Sequence, residues 1–173
     1  MKKFDKKTQI KILKIILIII WMVIIFWFSG QQGEESGDTS RKFTIKIIQI
    51  LTGKDLASDD PFVEGIQFAI RKIAHFSIYA IGGFLIMNYE YTTDKAVKQK
   101  ILYSIAFGGG YAITDELHQF FIPGRSGNIF DVGIDTLGVI TGTLIYFAIR
   151  KIIEVIIKKY KTKAKWGGNK SGY

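Results

Sequence analysis

Apolar and polar positions alternate along the chain in long blocks rather than residue by residue. The first apolar block runs from Ile12 to Phe28 and is broken only by Lys14. As a helix it rises about 25 Å, which with its flanks approaches the roughly 30 Å of bilayer hydrocarbon. Lys14 can extend to the interface, and Trp21 and Trp27 read as amphipathic anchors. The second block, Ile73 to Tyr89, holds Gly82-Gly83, a pair that membrane helices tolerate. Its helix is expected to start upstream, with Asp60 as N-cap, Pro61 at the first position and Glu64 in the first turn. The third block, Ile101 to Thr114, is short and runs straight into Asp115-Glu116-Leu117-His118-Gln119. The fourth runs from Ile129 to Ile149, with Asp131 and Asp135 in its first turns. The pattern predicts an all-α integral membrane protein with four transmembrane helices in a compact bundle. Between the first two spans, Phe43, Ile47, Ile50 and Leu51 fall at helical spacing, with Arg41, Lys42 and Lys46 interleaved. They predict a short interfacial helix in the first extracytoplasmic loop, or equally a cap packed on the bundle.

Composition narrows the class. The chain has 173 residues, 48% of them hydrophobic, no cysteine and a formal charge of +9. That much Ile and Phe excludes a disordered chain, and the lack of cysteine excludes a disulfide scaffold or a zinc finger. A basic, apolar chain fits either a nucleic-acid binder or a membrane protein with basic flanks. The distribution of charge decides. Lys and Arg number six in residues 1–14, three in 90–100 and eight in 150–173, against six in 30–72 and one in 115–128. Even alternation of four spans puts seventeen on one side and seven on the other, so both termini are expected in the cytoplasm of a multi-pass cell-membrane protein. The charge is then a topology signal, and no nucleic-acid partner is expected. Lys2, Lys3, Lys6, Lys7 and Lys11 resemble the basic start of a signal peptide. Phe28 stands where a cleavage site wants a small residue, which favours an uncleaved anchor. Residues 1–157 form the membrane domain, and 158–173 read as a basic, disordered cytoplasmic tail.

Candidate chemistry lies in the polar residues that this topology brings to one level. Arg71, Lys72 and His75 start the second span, and Asp115, Glu116, His118 and Gln119 end the third. Arg125 and Ser126 occupy the turn, and Asp131 and Asp135 start the fourth span. Ionisable groups at membrane depth require partners or a water-filled cavity. Arg71, His75 and Tyr79 share a helix face, as do Asp115, His118 and Gln119. Asp131 and Asp135, four apart, repel unless a cation lies between them or one is protonated. Their stripe continues through Gly138 and Gly142, a small-xxx-small spacing that admits a second helix.

Three segments together carry a resemblance to a known family. They are Arg71-Lys72-Ile-Ala-His75-Phe-x-x-Tyr79, Thr114-Asp115-Glu116-Leu-His118-Gln119-x-Phe-x-Pro123-Gly124-Arg125-x-Gly127, and Asp131-Val-x-Ile-Asp135-Thr-x-Gly138-x-x-x-Gly142. In combination they resemble the VanZ-like family, over roughly Ile12 to Ile149. The resemblance implies a small integral membrane protein of the cell envelope and, by association with VanZ itself, low-level resistance to the lipoglycopeptide teicoplanin. It supplies no chemical activity. Some relatives carry an acyl-phosphate transferase label, which nothing here supports: Gly108-Gly109-Gly110 lies in an apolar span and lacks the Lys-Ser/Thr of a phosphate loop.

Three roles fit the cluster. In the first, Arg71, Lys72 and Arg125 form an anion-binding pocket, with Tyr79, Gln119, Ser126, Asp131 and Asp135 completing it; planar guanidinium forks suit phosphate. The ligand is then a membrane lipid, a lipid-linked cell-wall precursor or a glycopeptide. In the second, His75 or His118 acts as acid or base, tuned by Asp115 or Glu116, in a hydrolase or transferase of lipid-linked phosphates. Alternatively, His75, His118 and two of the carboxylates ligate a divalent metal for hydrolysis or transfer on a lipid headgroup, but the spacing Glu116-x-His118 is not a usual zinc signature, so no metal ligand is assigned, and the sequence names no cofactor. In the third, ion pairs such as Arg71–Asp131 and Arg125–Asp115 only pin the helices. The shared face specifically predicts Arg71 against a carboxylate of the fourth span.

Overall fold

The computed structural model describes residues 5–31, 33–53, 57, 60–125 and 127–167; the side chains of 33–36 and 162–167 are outside this description. Among the described residues the regular structure is all helical, with α1 (Lys6–Ser29), α2 (Gly33–Thr52), α3 (Pro61–Glu90), α4 (Val97–Phe120) and α5 (Ile129–Gly167). Three helices are long and apolar enough to cross a bilayer: α1, α3 and the stretch Ile129–Lys161 of α5. α4 is as long as α1 but carries Lys98, Lys100, Asp115 and Glu116, and it is not among the three.

Local chemistry sets the ends. Asp5 caps α1 through the amide of Thr8 at 3.3 Å. Asp60 caps α3 as expected, its carboxylate accepting the Phe62 N–H at 2.8 Å with Pro61 in the first turn, where the missing amide hydrogen costs nothing. Gly124, at φ 75°, lets the α4–α5 connection turn through the left-handed region. α5 continues to Gly167. Residues 158–167, expected as disordered tail, are therefore helical, in keeping with the helix propensity of Lys and Ala.

The bundle is built around α3 and α5. Glycine makes that contact close. A Cβ at Gly142 would overlap the Ala80 carbonyl, one at Gly138 the Phe76 carbonyl and one at Gly83 the Val139 carbonyl. Backbone thus meets backbone, the packing that small residues permit where lipid supplies no hydrophobic drive. Trp21 lies over Gly82, where any β-carbon would strike the indole, and donates its ring N–H to the Ile78 carbonyl at 2.8 Å. It is a core residue, with Ile18, Ile25, Tyr79, Ile86, Ala112 and Val139, and not the interfacial anchor its amphipathic ring suggested. Trp27 is exposed. Most large apolar residues of α1, including Leu13, Ile19 and Val23, face outward, an exterior suited to hydrocarbon.

α2 packs on α3 through one face. Thr44 and Ile48 are buried, and Gln67 of α3 donates to the Gly37 carbonyl at 2.9 Å and to Ser40 Oγ at 2.7 Å. The expected apolar stripe is split by this docking: Phe43, Ile50 and Leu51 remain exposed on the opposite side.

Candidate functional site

α3 enters the cluster end of the bundle beside α5, and two of its side chains take up the two aspartates. Lys72 Nζ donates to Asp131, and His75 Nδ1 lies 3.6 Å from Asp135. Residues three apart on α3 thus meet residues four apart on α5, and each carboxylate has its own base. Lys72 supplies the opposite charge expected beside Asp131, and His75 faces Asp135 without a hydrogen bond. This arrangement also corrects the Arg71–Asp131 pairing. Lys72 holds that position, while Arg71 is exposed and makes no ion pair or hydrogen bond among the described residues. Asp135 is fully buried, and neither of its oxygens has a partner within hydrogen-bond distance.

A second chain of contacts links α3, α4 and the α4–α5 turn. The buried Tyr79 hydroxyl donates to Asp115 Oδ2 at 3.1 Å, and Gln119 Nε2 donates to the same oxygen at 3.2 Å. Gln119 Oε1 then accepts from Arg125 Nη1 at 3.2 Å. The expected Arg125–Asp115 ion pair is therefore relayed through an amide. The rest of the guanidinium closes the end of α1: Nη2 donates to the Phe28 carbonyl at 3.2 Å and Nε to the Gln31 carbonyl at 3.0 Å. Helix C-terminal carbonyls lack intrahelical donors and carry partial negative charge, so a cation is favoured there. Burial and the neighbouring Arg71 both pull the Arg125 pKa down, against the pull of Asp115 and Glu116.

Two adjoining cavities meet at these arginines. One, of about 300 Å³, is walled by Ile25, Phe28, Ala74 and Ile78 and reaches His75, Tyr79 and Asp115. The other, of about 250 Å³, is lined by Lys72, Gln119, Asn128 and Asp131. Arg71 and Arg125 border both. Apolar wall on one side and polar wall on the other suit an amphiphile more than a free ion.

The remaining sequence candidates lie elsewhere. Glu116 accepts the Asn128 N–H, fixing the turn before α5. His118 stacks on Phe26 with ring centroids 4.3 Å apart, and its Nδ1 lies 3.4 Å from Ser29 Oγ. Neither borders either cavity, although His118 was expected to share a working face with Asp115 and Gln119. Ser126 lies outside the described residues. No three His, Asp or Glu side chains gather as a metal site among the described residues. Sequence reasoning missed the carbonyls of Phe28 and Gln31, since backbone acceptors carry no residue signature, and it missed Asn128.

The fold and the end cluster define an all-helical membrane protein that buries charged and polar side chains at one end of its bundle. Residues 14–151 match the VanZ/LLP1 family, and the chain belongs to that family. No curated protein and no solved structure is similar enough to the chain to count as a match.

Proposed function

We propose that the chain crosses the membrane four times with both termini in the cytoplasm, α4 crossing as the third span in addition to α1, α3 and α5, and α2 lying on the outer leaflet. The cavities between Arg71 and Arg125 then open near the outer surface. There they bind the anionic headgroup of a lipid-linked cell-wall precursor or of a lipoglycopeptide of the teicoplanin type, so that the protein acts in the envelope and in antibiotic tolerance. The observation that carries this reading is Arg71, an exposed guanidinium with no partner among the described residues, at the rim of both cavities. Its planar donors are free for a phosphate or carboxylate. Asp115 and Gln119 hold the second arginine in place, and Ile25, Phe28 and Ile78 offer a wall to a hydrocarbon chain.

The test is titration of the purified full chain with a polyprenyl phosphate and, separately, with teicoplanin. Arg71→Gln should weaken binding by about tenfold or more, the value of a charge-assisted hydrogen bond, and leave the melting temperature unchanged. Wild-type affinity in that variant would overturn the pocket.

A further inference from the structure

At the opposite end of the bundle two lysines have no carboxylate partner among the described residues. Lys14 of α1 donates to the Asn88 carbonyl at 2.8 Å, not to a carboxylate. Lys100 of α4 is 9% exposed, and its ammonium lies over the ring of Tyr91, 5.0 Å from the centroid. Arg150 of α5 lies over the same ring at 5.6 Å. The acids nearby are already engaged: Glu90 by Lys95 at 3.0 Å, and Glu154 by Arg150 at 3.5 Å and Lys151 at 3.7 Å. A largely buried ammonium without an anion is costly unless one is supplied.

An apolar groove of about 290 Å³ begins beside these cations. Ile15, Ile18, Ile19 and Met22, following Lys14 on α1, line it with Ile86, Tyr89 and the Lys95-paired Glu90 of α3 and with Tyr103, one turn past Lys100, and Phe107 of α4. We propose that this end is a binding site for an anionic phospholipid. Its phosphate sits between Lys14 and Lys100, and one acyl chain lies in the Ile15–Phe107 groove. Charge complementarity selects the occupant. A free anion leaves the groove empty, and a zwitterionic headgroup brings a positive charge of its own to a site that already has an excess. The site shares no residue with the Arg71–Arg125 cavities and does not depend on their function.

Native mass spectrometry of the full chain, offered phosphatidylglycerol and phosphatidylcholine with the same acyl chains, tests this. Wild type should retain phosphatidylglycerol about thirtyfold more strongly, the scale expected for two cations near a lipid surface. Lys46→Gln, an exposed cation of α2 outside both sites, should keep that preference, and Lys14→Gln/Lys100→Gln should lose it. If the double variant does not fold, Ile19→Trp, which fills the groove and keeps both ammoniums, should reduce phosphatidylglycerol retention instead. Equal retention of the two lipids by wild type, a preference that survives the double variant, or unchanged retention in Ile19→Trp would each overturn the site.

Discussion

His75 Nδ1 lies 3.6 Å from Asp135 Oδ1, and it is the nearest base to a carboxylate that is fully buried between α3 and α5. The two residues should therefore be coupled. His75→Ala removes the imidazole beside a buried acid that it does not hydrogen-bond, and should cost about 1 kcal/mol. Asp135→Asn removes the charge and should cost less. The double variant should recover part of the His75→Ala loss, because no uncompensated carboxylate remains. Thermal melting of the three variants in one detergent measures the cycle. Strict additivity would mean that the imidazole does not stabilise the acid.

The Tyr79–Asp115–Gln119–Arg125 chain yields a separate expectation. Tyr79→Phe keeps the packed ring and deletes one donor to Asp115, whose Oδ1 is already buried without a partner. The loss of stability should be about 1–3 kcal/mol. Gln119→Ala cuts the chain nearer Arg125. That arginine would keep its two bonds to the α1 carbonyls and lose its link to α4. Ligand affinity should then fall more than stability does. Calorimetry and a binding titration on the same preparation separate the two effects; a variant that loses both in proportion would assign the chain a structural role alone.

Close approach of α3 and α5 is tested by glycine replacement. Gly142→Ala places a methyl group against the Ala80 carbonyl, a backbone atom that cannot swing aside. The cost should reach or exceed about 3 kcal/mol, the upper part of the range for overpacking. Gly110→Ala is the control: nothing lies within 4 Å of the new carbon, and it should be neutral or stabilising by up to about 1 kcal/mol. Folded yield and melting temperature decide. If both variants behave alike, the glycines reflect composition and not contact.

These contacts show what spacing alone could carry. The cap at Asp60-Pro61, the Gly138–Gly142 stripe and the meeting of α3, α4 and α5 side chains at one end were legible, because each depends on residue type at fixed helical intervals. The choice between Arg71 and Lys72 was not. Both are one turn from His75, at four and three residues, and only the rotation of α3 against α5 decides which cation reaches Asp131. Trp21 was misread for a related reason: an indole at a membrane boundary and an indole on a glycine in the core have the same local sequence. His118 shares a periodicity with Asp115, yet a helix side is wide enough that one residue faces α3 and the other stacks on Phe26 of α1.

Topology is the expectation on which the position of the pocket depends, and the chain suits its test because it has no cysteine. Single cysteines can replace exposed residues in the two connections, Asp94 between α3 and α4 and Pro123 between α4 and α5. α4 separates the two positions, so they fall on opposite sides only if α4 spans the bilayer. The excess of Lys and Arg near the termini and in residues 90–100 favours retention of those segments in the cytoplasm. A membrane-impermeant maleimide applied to intact cells should therefore label Pro123→Cys and spare Asp94→Cys until the membrane is opened. The reverse pattern would place the arginine cavities on the cytoplasmic face and remove the outer-leaflet ligand. Labelling of both positions from one side would mean that α4 does not cross, and the two arginines would then border a pocket at the surface of a three-span protein.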